Sequence, residues 1–277
     1  MAVSYVSSQT RAFSSVNNGD PITITKPSGV AVGDLLVAHL VSNGDPIGGA
    51  PSGWTQEFAS EVGNVFSYLY SKVAVSADVS AVNYSWTNGA FTSQWGGSIT
   101  RITGAKSTSP ISVKSAQTST TIPTPSYSNS VTPTLAESLL LFFVGYGAST
   151  GTNTVSASGY SITTSDPTWT EAYDINDAAR LQMSMAYANR TAITATGNSS
   201  VTFANSATST SHGIMLAIEP QLVVNVTESL AMVETTQKRI SKTFTDNLDT
   251  DETVTKTKTR VWSTESKPNT TWTNNTL

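Results

Sequence analysis

Two unbroken apolar runs set the pattern of the chain. Gly33-Asp34 introduces Leu35-Leu36-Val37-Ala38-His39-Leu40-Val41, and Glu137-Ser138 introduces Leu139-Leu140-Leu141-Phe142-Phe143-Val144. Each is of strand length and is bounded by Gly, Pro, Asn or Ser, which predicts a strand buried on both faces or at the centre of a sandwich. Around the first run the pattern alternates with period two, as half-buried strands do, in Ile22-Thr23-Ile24-Thr25, in residues 65–73, in Val82-Asn83-Tyr84-Ser85-Trp86 and in residues 97–104. Asn17-Asn18-Gly19-Asp20-Pro21, Lys26-Pro27-Ser28-Gly29 and Asn43-Gly44-Asp45-Pro46 supply turn chemistry between them.

The same events return in the same order. Leu35 and Leu139 lie 104 positions apart, Trp54 and Tyr160 106, Tyr70 and Tyr187 117, Trp86 and Phe203 117, and Gly97 and Gly213 116. The jump in spacing places an insertion of about eleven residues around Asp166 to Asp177. The expected architecture is all-β: an antiparallel, jelly-roll-like β-sandwich over residues 1–220, built from pseudo-repeats at about 21–104 and 121–220. Each half offers few strands, so one shared sandwich is preferred to two small ones in series. The Pro- and Ser/Thr-rich stretch 105–133 connects the halves, with edge strands near Ile111 and Ile122.

Beyond Pro220 the pattern changes. Thr227-Glu228-Ser229-Leu230 is echoed 18 positions on by Thr245-Asp246-Asn247-Leu248, and Val261-Trp262-Ser263-Thr264 10 positions on by Thr271-Trp272-Thr273-Asn274. Repeats this short are not domains. Residues 221–277 read as a stalk that several chains complete together or as an extended arm laid on a partner, with a solvated tail as the plain alternative. The recurrence of Leu230, Phe244, Leu248, Trp262 and Trp272 favours an ordered assembly segment.

Composition sharpens the class. Lys plus Arg number 15 against 19 Asp plus Glu, so the net charge is −4 and only 12% of residues are charged, about half the usual share. Solubility rests on Ser, Thr, Asn and Gly, a composition that favours strands and turns over helices. An acidic chain is a poor match for nucleic acid. No apolar run approaches the roughly 20 residues of a membrane helix, and the first residues carry no secretory pattern. The chain has no cysteine, which removes thiol catalysis, disulfides and thiolate metal sites.

Candidate chemistry is sparse. The two histidines, His39 in the first apolar run and His212 in a Ser/Thr-rich turn, have no zinc-like spacing, and His39 reads as packing opposite the Phe143 position. Asp166, Glu171, Asp174 and Asp177 cluster with Trp169 and Tyr173, the mix of rings and acids that sugar recognition uses; a solvated loop has the same composition. Trp54 and Trp86 have aromatic counterparts in the other half and read as core. Trp95 and Trp169 lack them, so Trp95, Trp169, Tyr173 and Asp174 are the candidate ligand contacts. No catalytic, metal or cofactor residues are expected.

Gly33-Asp34-Leu35-Leu36-Val37, Gly53-Trp54-Thr55, Tyr68-Leu69-Tyr70-Ser71-Lys72-Val73 and Tyr84-Ser85-Trp86-Thr87 resemble the β-sandwich modules of tailed-bacteriophage structural proteins. The terminal Trp-Thr and Lys-Pro repeats resemble the ends of such virion proteins. The resemblance implies a non-enzymatic virion component, whether fibre, tail accessory protein or capsid decoration. Its partners would be other virion proteins and copies of itself, with a trimer by analogy to fibres and no nucleic acid or membrane. The alternative is a host-adhesion module that binds surface glycans.

Overall fold

In the computed structural model the described residues are 2–222 apart from 18, 44–45, 64, 90–91, 120–125, 128–129, 149–156, 163–167, 178–180 and 204–208, with the backbone of 225–226 and 255–256. The chain divides into two units, Met1–Leu222 and Val223–Leu277. In the second unit the described backbone is a short parallel pairing of Asn225–Val226 with Thr255–Lys256.

The first repeat contains β1 (Ser4–Val16), β2 (Pro21–Thr25), β3 (Leu35–Ser42), β4 (Ile47–Gly49), β5 (Thr55–Val62), β6 (Val65–Val73), a single turn of helix α1 (Ser76–Ser80), β7 (Asn83–Asn88) and β8 (Ser93–Thr103). They form a five-stranded sheet in the order β1-β8-β3-β6-β5 and a three-stranded sheet β2-β7-β4. All pairs in both are antiparallel. Strands that are neighbours in sequence thus sit in different sheets for most of the repeat, which is jelly-roll connectivity.

The second repeat runs through β9 (Ile111–Ser119), β10 (Ser126–Tyr127), β11 (Ser138–Ala148), β12 (Ala157–Ile162), β13 (Thr170–Asn176), β14 (Leu181–Arg190), β15 (Ser199–Phe203) and β16 (Ser209–Ile218). Its sheets, β9-β16-β11-β14-β13 and β10-β15-β12, reproduce the first repeat strand for strand. Even the irregularities recur. A bulge between Tyr5 and Ser7 on β1 matches one between Ile111 and Val113 on β9, and a bulge between Gln56 and Phe58 on β5 matches one between Glu171 and Tyr173 on β13. Bulges re-aim the residues after them, so a shared bulge is a strong sign of shared design.

The register revises three details of the sequence reading. Tyr70 faces Ala38 on β3 and Ala186 faces Phe142 on β11, so the counterpart of Tyr70 is Ala186, not Tyr187. Trp54 precedes β5 and Trp169 precedes β13, so these two are counterparts, whereas Tyr160 lies in β12. The extra residues therefore fall between β11 and β13, before Trp169. The repeats also begin earlier than expected, at Ser4 and Ile111, because β1 and β9 are the first strands of the two rolls.

The two five-stranded sheets stack face to face. Leu35, Val37, Val41, Leu69 and Ile102 of the first meet Leu139, Leu141, Phe143, Met183, Met185, Ile214 and Leu216 of the second in one core. The outer faces of these sheets carry the three-stranded sheets, over Leu36, Ala38, Leu40, Tyr68 and Trp86 in the first repeat and over Leu140, Phe142, Val144 and Val201 in the second. Each repeat is thus a two-layered sandwich with a core of its own, and the two pack together through their five-stranded sheets, giving four layers in all rather than the one sandwich shared by two halves that the strand count suggested. This explains the apolar runs, since every residue of β3 is buried: a central strand with sheets above and below has no face for water. At the seam a Cβ on Gly145 would lie 3.0 Å from Ser67 Oγ and 3.1 Å from Val41 Cγ2, so the sheets approach closely there because that position has no side chain.

Candidate functional site

The sequence-derived candidates separate in space. Trp95 is fully buried. Its indole N–H donates to Asn88 Oδ1 at 2.9 Å, and its ring stacks over Tyr68, so it joins β8 to β7 rather than facing a ligand. Tyr173 is also buried: the β13 bulge turns it into the seam, where Ser98 Oγ donates to its hydroxyl at 2.6 Å. Trp169 is half-buried against Phe142, centroids 5.8 Å apart, and Asp174 accepts from Gln182 Nε2. Asp177 Oδ1 accepts the Leu181 N–H at 2.8 Å. The expected platform of exposed Trp95, Trp169 and Tyr173 is therefore not formed. Asp166 and the assembly residues Leu230, Phe244, Leu248, Trp262 and Trp272 lie outside the described residues.

The histidines belong to the scaffold. His39 packs edge-on to Phe143, centroids 5.4 Å apart, as expected. Its Nδ1 is 3.4 Å from Tyr173 Oη and its Nε2 3.1 Å from Ser67 Oγ. Because Ser98 already donates to the Tyr173 oxygen, the Tyr173 proton points to Nδ1 and the His39 Nε2–H is left for Ser67. Burial, with the neighbouring His212 adding to it, pushes His39 down to about 3. His212 lies within β16 rather than in a turn; its Nε2–H donates to the Val65 carbonyl at 3.0 Å, and Nδ1 accepts from Thr118 at 2.9 Å. Burial lowers its pKa too, against the opposing pull of the Val65 carbonyl. Both rings are neutral and enclosed by neutral partners, an arrangement that holds two sheets together.

One end of the first unit is different in kind. There β8 ends, β3 begins and β6 ends, since Leu35 pairs with both Val73 and Ile102. The second repeat presents its corresponding end beside it: Ala105 bridges Pro220, and the Gln221 N–H donates to the Gly104 carbonyl at 2.7 Å. The chain leaves the unit here, at Leu222. Charged groups at this end turn inward. Asp34 accepts from Arg101 Nε at 2.7 Å and from the Ala31 N–H at 2.8 Å, fixing the loop before β3. Asp78 pairs with Lys72 at 2.7 Å and accepts from Tyr84 at 2.7 Å. Burial alone would raise the Asp78 carboxyl, but Lys72, the Val75 N–H and Tyr84 together hold it below its ordinary value.

Aliphatic side chains at this end face water instead. Of the eight large hydrophobic residues exposed among the described residues, six (Val32, Val75, Val79, Val82, Ile193 and Leu222) lie in its loops, with Val82 74% and Val32 65% exposed. Single exposed aliphatics are ordinary on any surface; their concentration on one rigid end is the informative feature. The sequence held part of the signal, since Val32 and Val75 fall outside any strand pattern, but Val82 alternates in phase with Tyr84 and Trp86 and reads as buried; it is exposed because β7 begins only at Asn83.

Compared with models of known protein families, with curated proteins and with solved structures, the chain matches none.

Proposed function

We propose that this chain is a non-enzymatic structural protein of a tailed-phage virion, joined to its neighbours through the end at Leu222 and through residues 221–277. The observation that carries this reading is that six of the eight exposed large hydrophobic residues among the described residues lie in the connections at the end where the chain leaves the first unit. An apolar, preorganised end next to a segment that continues the chain is what an attachment surface requires, because burying those side chains against a partner is favourable and ordering them costs little. The scaffold supports the same reading: His39, His212 and Tyr173 are spent on joining two sheets, within hydrogen bonds they make to protein groups. The partners are other virion proteins and copies of the chain itself, a trimer being the arrangement fibres suggest.

The test is incorporation. The chain ending at Leu222 should remain a folded, soluble sandwich by circular dichroism yet be missing from purified particles, and Val32→Asp with Val82→Asp in the full chain should lower incorporation while leaving the melting temperature unchanged. Particles that take up both variants at the normal level would overturn the assignment.

A further inference from the structure

The duplication supplies an internal control for every strand edge. The two five-stranded sheets end in four edge strands, β1 and β5 in the first repeat and β9 and β13 in the second. On one side of the unit β5 and β9 are tied across the seam, where Lys114 Nζ lies 2.8 Å from Glu57 Oε2. The other acid of β5, Glu61, accepts from the Tyr68 hydroxyl at 2.5 Å. On the other side β1 packs beside β13, but Ser8 stands where β9 has Lys114, since Ser8 faces Thr100 and Lys114 faces Leu216. The one charged residue of β1, Arg11, is turned onto its own sheet, donating to the Trp95 carbonyl and to Ser14.

The β13 edge is acidic where its twin is neutral. Glu171 and Asp174 stand opposite Ala186 and Ser184. Both lie on the face away from the seam, because Met185, between those two partners, belongs to the shared core. In the first repeat the same positions are Gln56 and Ala59, opposite Tyr70 and Tyr68, so the charge belongs to this edge and not to the fold. Residues 166–180 carry Asp166, Glu171, Asp174 and Asp177 against a single base, Arg180. Glu171 is exposed at the edge; partial burial and then the neighbouring Asp174 raise its pKa, so a cation brought alongside favours its charged form. Among the described residues β13 pairs with β14 and with no second strand, which leaves outward backbone N–H and C=O groups in position to extend the sheet.

The complement is in the chain itself. From Thr253 to Arg260 the sequence Thr-Val-Thr-Lys-Thr-Lys-Thr-Arg alternates without a break, the period of a strand, with a β-branched residue at every second position. Lys256, Lys258 and Arg260 therefore share one face, and no acid falls between Thr253 and Val261. Two of these residues, Thr255–Lys256, are already strand-paired along one edge with Asn225–Val226, and a strand has a second edge to offer. The stretch begins about 30 residues beyond Leu222, roughly 100 Å of extended chain, enough to reach a neighbouring molecule. We infer that residues 253–261 of one copy add as a further strand to the β13 edge of a second copy, with their cations set against Glu171 and Asp174. This rests on the reading of residues 221–277 as an attachment segment and names what the segment attaches to. Backbone hydrogen bonds supply the affinity and the charges select the edge. Because each copy carries one donor segment and one acceptor edge, the contact is head-to-tail and closes into a ring such as a trimer or continues as a filament.

The full chain is examined by sedimentation equilibrium and should self-associate. Glu171→Lys in one chain, and Lys256→Glu with Lys258→Glu in another, should each raise the dissociation constant about tenfold. All three substitutions in the same chain should restore the original value, a recovery that damage to the fold does not produce. Since the protein has no cysteine, mixing Thr170→Cys chains with Thr257→Cys chains under oxidation should give mainly disulfides between positions 170 and 257, read by mass spectrometry. A monomeric full chain, association indifferent to the reversals, a triple variant that fails to recover, or disulfides only between like positions would each overturn the inference. A monomeric full chain whose form ending at Leu222 is still missing from particles overturns this inference alone. Disulfides between 170 and 257 together with normal incorporation of that shortened form overturn the attachment to the particle and uphold the pairing between copies.

Discussion

His39 shows how one residue acquires its meaning from its surroundings. Its sequence neighbours are apolar, and its space is shared with Phe143, the residue at the equivalent position of the other repeat. Because the folded protein holds the ring neutral down to about pH 3, whereas an unfolded histidine protonates near 6.5, the unfolded chain takes up the extra proton between those values. Stability from this group is complete above about pH 6.5 and is lost as the pH falls toward 3, at up to about 1.4 kcal/mol per pH unit. The urea midpoint should therefore drop between pH 7 and pH 4.5 by an amount corresponding to roughly 2 kcal/mol. His39→Phe, which copies the twin position, should reduce that slope without removing it, because His212, lowered by burial as well, loses stability in the same direction as the pH falls; a midpoint independent of pH across this window in the unmodified protein would contradict the neutral buried rings. Asp78, held below its ordinary value, acts in the same direction but only at lower pH, so the two are separable.

Strands and turns were largely legible because their signals are local: alternation for β7, apolar runs for β3 and β11, and Gly, Pro and Asn turns between them. Bulges were not, since they are read only from the partner strand. Their effect is concrete, as the shift after Glu171 on β13 turned Tyr173 from an expected surface contact into a seam residue. The turn after β8 has a second requirement that composition hides. Gly104 has φ +70°, and a Cβ there would run into the Ala2 carbonyl oxygen. Backbone cannot swing aside as a side chain does, so Gly104→Ala should cost more than the roughly 1 kcal/mol of the dihedral alone. Denaturant titration checks this, and a loss below about 0.5 kcal/mol would show that the turn relaxes.

For the first unit as a whole, the stacking of the two five-stranded sheets decides what can exist alone. A fragment of residues 1–106 would expose Leu35, Val37, Val41, Val65 and Leu69 over one entire sheet face, a far larger apolar area than a soluble monomer carries. Since the two repeats are alike, that face is suited to pairing with a second copy of itself. The fragment should sediment as a dimer or aggregate; a cooperatively folded monomer would refute the dependence of one repeat on the other. The ion pair between Lys114 and Glu57 at 2.8 Å also crosses the seam, but Lys114 is half in water, and such a pair contributes under about 1 kcal/mol. Apolar burial holds the halves together.

By itself the sequence determined the all-β class, the duplication, the order of the strands and the central place of the two apolar runs. These follow from periodicity and turn chemistry, which act over a few residues. Only the tertiary structure decided that each repeat closes its own outer layer, that Trp95 and Tyr173 are core while Gln182 and Ser184 stand where rings stand in the other repeat, and that exposed valines of two connections, the one before β3 and the one between β6 and β7, lie at one end. Each of those depends on which residues are brought opposite one another by pairing and stacking, and that information is not carried by any single stretch of chain.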